Sequence, residues 1–257
     1  MLRDVLCLGV AGNFANHLEQ AGESKDFVGV ETKEENAPKG IFPFYIPGSN
    51  CFLGRFPIAK EELILPDYEA NAQVEPEIGV LFEAEYQDGK VVKLIAKKFT
   101  VFNDTTIRKE GAKKISQKKS WSDKSKGIAH HWVKIDKFEE GGIMDNYHIR
   151  SFLIRDNIKH PYGADAPLLG YSYFYNKLTT WLIDKLNNQK DFGPLEDISQ
   201  IIKDCGYPKE IFVSIGATEY EEFGKNNYLK VGDEIIVEAY SKKEGDRTIT
   251  LHQKVVA

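Results

Sequence analysis

The chain has 257 residues, 42% of them hydrophobic and 28% charged, with a formal net charge of -5. That is enough chain to bury a core without staples, and the dispersed basic residues leave no face suited to nucleic acid. Cys7, Cys51 and Cys205 form no CxxC pair, which argues against a disulfide framework or a cysteine zinc site and for a reducing, cytoplasmic compartment. No apolar run reaches the length of a membrane helix, and the N-terminus reads as a buried strand rather than a secretory leader.

In chain order, residues 5–10 predict a first strand and 13–20 a short helix stopped by Gly22. Residues 31–40 are charged loop, and 41–46 an aromatic extended stretch that Pro43 and Pro47 confine to an edge. Residues 74–82 and 91–101 read as strands, and Asp88-Gly89 between them marks a hairpin. The lysine-rich segment 109–126 predicts a mobile, solvated loop. Strands follow at 132–135, 148–154, 210–215, 234–240 and 248–256, and helical periodicity covers 172–186 and 195–205. The expected class is mostly β with some α (α+β). Residues 1–60 form an N-terminal segment, and 61–257 a main domain with a helical insertion around 172–205.

Glu75 and Glu77 stand two apart in an apolar strand, so both side chains leave the same face. Two carboxylates beside a core strand repel each other, and burial aggravates the repulsion. A bound cation relieves it; two glutamates pointing into water are the alternative. Asp104, at the end of the next strand, is the natural third ligand, although an Asx-turn explains it as well. All-oxygen ligation favours Mg²⁺, with Mn²⁺ or Ca²⁺ possible, and three carboxylates leave positions open for a substrate.

The segment Val74-Glu75-Pro76-Glu77-Ile78-Gly79-Val80-Leu81 resembles the ExE strand of the fumarylacetoacetate hydrolase superfamily. Phe102-Asn103-Asp104-Thr105-Thr106-Ile107-Arg108 is similar to its N-D-[VT]-[ST]-x-R segment, and Gly12-Asn13-Phe14-Ala15-Asn16-His17 to its N-terminal G-x-N-Y-x-x-H element. Ser120-Trp121-Ser122-Asp123-Lys124-Ser125 resembles its Q-W-x-x-x-K-S loop, one residue shorter, and weaker matches near 208–213 and 229–234 keep the order. The resemblance implies a mixed β-roll or sandwich with a few peripheral helices, commonly paired as a homodimer. It implies a metal held by Glu75, Glu77 and Asp104, and a metal-stabilised enolate of a small 2-oxo or 1,3-diketo acid. C–C bond hydrolysis of the acylpyruvate type leads. Decarboxylation or tautomerisation, or a degenerate metabolite- or partner-binding role, are the alternatives.

On this reading His17 is the base. Lys124 neutralises the oxyanion or substrate carboxylate, with Lys126 as its rival. Arg108 binds an anionic substrate or braces a ligand carboxylate. Gly216 and Thr218 belong to the substrate loop. Three departures stand out: Gln20 where a glutamate commonly completes a dyad with the histidine, Ala217 where a threonine is usual, and His130-His131 in place of a proline-containing segment. The adjacent histidines are expected to be structural.

Overall fold

The computed structural model describes all residues except 1, 15, 16, 21, 23, 28, 31, 33, 109 and 110. The middle of the expected 13–20 helix and the start of the lysine-rich loop therefore lie outside the described residues. Strand β1 (Leu6–Ala11) is followed by the one-turn helix α1 (His17–Gln20) and strand β2 (Gly40–Tyr45). Short strands β3 (Ile58–Ala59), β4 (Glu62–Ile64) and β5 (Ala72–Gln73) lead into the long hairpin of β6 (Pro76–Gln87) and β7 (Lys90–Asn103). After β8 (Thr106–Ile107), β9 (Lys126–Ile128) and β10 (Val133–Lys134) comes a second hairpin, β11 (Tyr147–Arg155) and β12 (Ile158–Pro167). Helices α2 (Tyr175–Asn188) and α3 (Ile198–Asp204), strand β13 (Glu210–Ala217), helix α4 (Glu222–Asn226) and strands β14 (Glu234–Ser241) and β15 (Ile249–Val256) complete the chain.

Two sheets carry the architecture. The larger runs β2-β1-β13-β6-β7-β9-β3 with β10 also on β7, and the smaller runs β12-β11-β14-β15-β4. The class is α+β with strands dominant, as the alternating patterns imply. Residues 76–82 of β6 are buried on both faces, because both faces of the larger sheet are covered. One face packs on the smaller sheet and on α2, with Phe99 edge-on to Tyr147 at 5.0 Å. The other face carries an aromatic cluster of Phe42, Phe44, Phe102 and Phe212. Gly79 makes room for it: a Cβ there would stand 2.2 Å from the Phe212 ring.

The Asp88-Gly89 turn forms as expected, with φ of 51° and 74°, the two positive angles that a tight primed turn requires. Strand β2 is an edge, which accommodates Pro43. The Gln189 side chain, just past α2, accepts from Ile41 N–H at 2.9 Å and donates to Ile41 C=O at 2.7 Å, so the insertion occupies that exposed edge. Helix α2 buries Leu178, Leu182 and Leu186 in the main core. Strand β12 and helix α4 are absent from the sequence reading. The β12 residues are largely polar or exposed, and α4 spans five residues, too short for a helical period.

The expectation of a solvated loop at 109–126 is corrected. Residues 115–118 form a 3₁₀ turn, Lys126 opens β9, and Lys118, Lys119 and Lys126 are buried. Ser120 Oγ donates to Phe44 C=O at 2.8 Å and Trp121 Nε1 to Ile64 C=O at 2.8 Å, which pins the segment to the sheet. Lys119 and Lys126 tolerate burial because acidic groups receive them.

Candidate metal and acid–base site

The open end of the β6–β7 hairpin brings the acidic residues together. Pro76 pairs with Asn103 in the ladder, and Asp104 N–H donates to Glu75 C=O at 2.9 Å. Glu75, Glu77 and Asp104 each offer a carboxylate oxygen within 4.8 Å of the others. Their exposures are 3%, 2% and 0%. Local order explains this: the i, i+2 spacing aims both glutamates one way, and hairpin pairing delivers the aspartate.

Cations meet the cluster on several sides. Lys119 Nζ lies 2.5 Å from Glu75 Oε2 and 2.7 Å from Asp104 Oδ2. Lys126 Nζ is 2.8 Å from Asp104 Oδ1 and donates to Thr105 C=O at 2.6 Å. The Arg108 guanidinium is 3.0 Å from Glu75 Oε1, and also donates to Gln73 Oε1 and to the Tyr220 hydroxyl, both at 2.7 Å. Burial pushes the Glu75 carboxyl up, but other groups, led by the charges of Lys119 and Arg108, outweigh it and hold it well below the usual carboxylate range. Glu77 moves the other way. Burial and the neighbouring Asp104 and Glu75 charges push it well up, against the pull of Lys119 and the Gly216 N–H. Burial brings Lys126 down to about 8 despite Asp104.

His17 is buried, with Nε2 3.7 Å from Glu75 Oε1 and Nδ1 2.8 Å from Thr218 C=O. A carbonyl only accepts, so Nδ1 carries the proton and, in the neutral ring, Nε2 holds the lone pair. Gly216, at φ 116°, donates its N–H to Glu77 Oε2 at 2.9 Å, and its C=O accepts from the Tyr171 hydroxyl at 2.9 Å. A side chain there would strike Asn13, 2.9 Å from the Cβ position. A narrow cavity of about 20 Å³ opens on this cluster, lined among others by His17, Phe42, Glu75, Glu77, Lys119 and Ala217.

Of the residues singled out from the sequence, His17, Glu75, Glu77, Asp104, Arg108 and Gly216 converge here. Lys124 does not. Its Nζ pairs with Glu62 at 2.6 Å on the surface, because the loop turns outward after Trp121. Lys119 and Lys126 occupy the site instead; Lys126 is the rival that the sequence offers, and Lys119 carries no distinguishing mark within a run of lysines. Thr218 acts through its carbonyl on His17, while Ala217 faces the cavity. Arg108 braces Glu75, the second of its two expected roles. Gln20 turns to the 219–220 segment, accepting from Tyr220 N–H at 2.8 Å. His130 and His131 are exposed.

A family model described as a family of unknown function (DUF5718) matches residues 23–254. The chain belongs to this family. No curated protein matches it. Among solved structures, the DUF5718 chain is similar to a protein assigned to the fumarylacetoacetate hydrolase family from Yersinia pestis CO92, at 12% identity and TM-score 0.56, covering 98% of this chain and 94% of that one. It is similar to 5-carboxymethyl-2-hydroxymuconate delta-isomerase from Mycobacterium smegmatis, at 14% identity and TM-score 0.56, covering 98% and 78%. It is also similar to 2-hydroxyhepta-2,4-diene-1,7-dioate isomerase from Mycobacterium marinum, at 12% identity and TM-score 0.56, covering 98% and 74%. The fold is therefore of the fumarylacetoacetate hydrolase type. No helix among the described residues is long and apolar enough to cross a membrane.

The three carboxylates suit a hard divalent cation: all donors are oxygens, all are buried, and a cation would offset both the burial and the Asp104 and Glu75 charges that push Glu77 up.

Proposed function

We propose that the chain is a divalent-metal-dependent enzyme acting on a small 2-oxo or 1,3-diketo acid. The observation that carries this reading is the buried cluster of Glu75, Glu77 and Asp104 beside a cavity that Glu75, Glu77 and His17 line, with His17 Nε2 3.7 Å from Glu75 Oε1. The three carboxylates would hold Mg²⁺, or Mn²⁺ or Ca²⁺ in its place. Such an ion, when bound, supplies the Lewis-acid charge that favours an enolate over its parent keto acid. His17 is the group that accepts or returns the proton, since its Nδ1–H is committed to Thr218 and Nε2 faces the cluster. Lys119, in place of Lys124, is the cation that lines the cavity an anionic substrate would enter.

Within that class, the partner of His17 discriminates. A carbonyl fixes its tautomer but adds no negative charge to strengthen it as a base, and Gln20 is engaged elsewhere. This favours tautomerisation or decarboxylation, which move one proton at carbon, over C–C bond hydrolysis, which must also activate water. Isomerases and a fumarylacetoacetate hydrolase family protein both stand among the similar structures. A non-catalytic metabolite- or partner-binding role is the second reading, favoured by carboxylates that already meet Lys119, Lys126 and Arg108. A homodimer belongs to the proposal, with sedimentation as its test.

The deciding experiment is thermal unfolding of chelator-treated protein with and without Mg²⁺, Mn²⁺ and Ca²⁺, beside Asp104→Ala, followed by assays on oxaloacetate and acylpyruvates. At a hundredfold excess over the dissociation constant, binding adds about 2.7 kcal/mol to stability. The expected result is a cation-dependent rise that disappears in Asp104→Ala. No rise with any of the three ions removes the metal-dependent reading; a rise without turnover on either substrate class moves the protein to the binding role.

A further inference from the structure

Glu75 and Asp104 divide their oxygens in the same way. One oxygen of each is held at the periphery, Glu75 Oε1 by Arg108 at 3.0 Å and Asp104 Oδ1 by Lys126 at 2.8 Å. The other two, Glu75 Oε2 and Asp104 Oδ2, meet a single atom, Lys119 Nζ, at 2.5 and 2.7 Å. A divalent cation that takes one oxygen from each carboxylate must stand between them, about 2.0–2.6 Å from each. That is the place the ammonium nitrogen occupies. The cavity beside it, about 20 Å³, holds no more than a water or so. Ammonium and metal ion cannot share the position.

We infer that Lys119 is a displaceable internal counter-ion: its ammonium takes the metal position in the metal-free protein, and a divalent cation binds by driving it out. The inference rests on the metal-dependent reading of this site. Lys119 suits the role because its charge sits on a long flexible stem that lines the cavity, with Nζ 5.1 Å from the centre of the Phe42 ring. Lys126 does not suit it. It contacts one carboxylate, has a second partner in Thr105 C=O, and is locked into the start of β9. A monovalent ion brings no more charge than the ammonium it would replace, so the arrangement selects for divalent ions. Once displaced, the ammonium stays close to the cluster, positioned to meet the carboxylate of a bound substrate.

The test is calorimetric titration with Mn²⁺ of the wild type, Lys119→Gln and Lys126→Gln, each first checked for folding by circular dichroism. Both variants remove one positive charge near the cluster, so a simple field effect, which falls off only inversely with distance, would tighten binding in both. Displacement predicts that Lys119→Gln binds Mn²⁺ at least about tenfold more tightly than wild type, while Lys126→Gln changes by less than about threefold. Equal tightening in both variants, or none in Lys119→Gln while the wild type binds, overturns the counter-ion role and leaves the metal reading standing. Absence of binding in all three proteins overturns both. Wild-type crystals soaked in Mn²⁺ supply an arm that needs no variant. An anomalous peak between Glu75 and Asp104 with Lys119 Nζ moved out of contact is expected, and a peak with Lys119 still touching both carboxylates refutes the displacement.

Discussion

The two ends of the β6–β7 hairpin are built from the same residue types and behave in opposite ways. Toward the turn, Lys93 pairs with Glu85 at 3.0 Å and Lys97 with Glu83 at 3.4 Å, with every partner about a third exposed or more. At the open end, Glu75, Asp104, Lys119 and Lys126 make contacts of similar length with almost no exposure. Water screens the first set, so each pair contributes little. In the second set nothing screens a charge that loses its partner. The difference shows that what a carboxylate does at either end of this hairpin depends on what covers it.

Lys126→Gln tests that difference where the expected effect is largest. It removes a wholly buried partner of Asp104 and should cost about 3 kcal/mol in metal-free protein, read by urea unfolding. A loss under about 1 kcal/mol would mean that the buried end is no more sensitive than an exposed pair.

Glu196 extends the comparison to a buried carboxyl with weaker compensation. Burial pushes it up to about 7, against smaller opposing effects from Ser116 and Lys114. A folded-state value above the unfolded one means the folded protein holds this proton more tightly. Its contribution therefore falls as pH rises from the ordinary carboxylate range to about 7, and the penalty is complete above that. Glu196→Gln should erase the decline, gaining about 2–3 kcal/mol relative to wild type between about pH 5 and about pH 8. Parallel stability curves for the two proteins would remove Glu196 from the account. The smallest effect belongs to Glu85→Ala at the exposed end, expected to change stability by less than about 0.5 kcal/mol, and by less still in high salt.

Much of the site was legible before the fold. The ExE spacing, the strand-ending Asp104 and the His17 element are local patterns, and the strand period and hairpin turn carry their geometry with them. Lysine assignment was not legible in that way. Lys119, Lys124 and Lys126 sit within eight residues of one another in a polar run, and nothing in their order tells which faces inward. Ser120 on Phe44 C=O, Trp121 on Ile64 C=O and the start of β9 decide it, and all three are contacts between segments distant in sequence. The same holds for Thr218 of the expected substrate loop, whose carbonyl is what meets His17.

By itself, then, the order of residues determined most of the long strands, the turn and the same-side placement of Glu75 and Glu77, because those follow from backbone periodicity over a few residues. Tertiary structure alone decided which cations neutralise the carboxylates, which way the Glu75 and Glu77 carboxyls shift, and how His17 is oriented. Burial and charge contact are set by packing between segments that the chain keeps far apart.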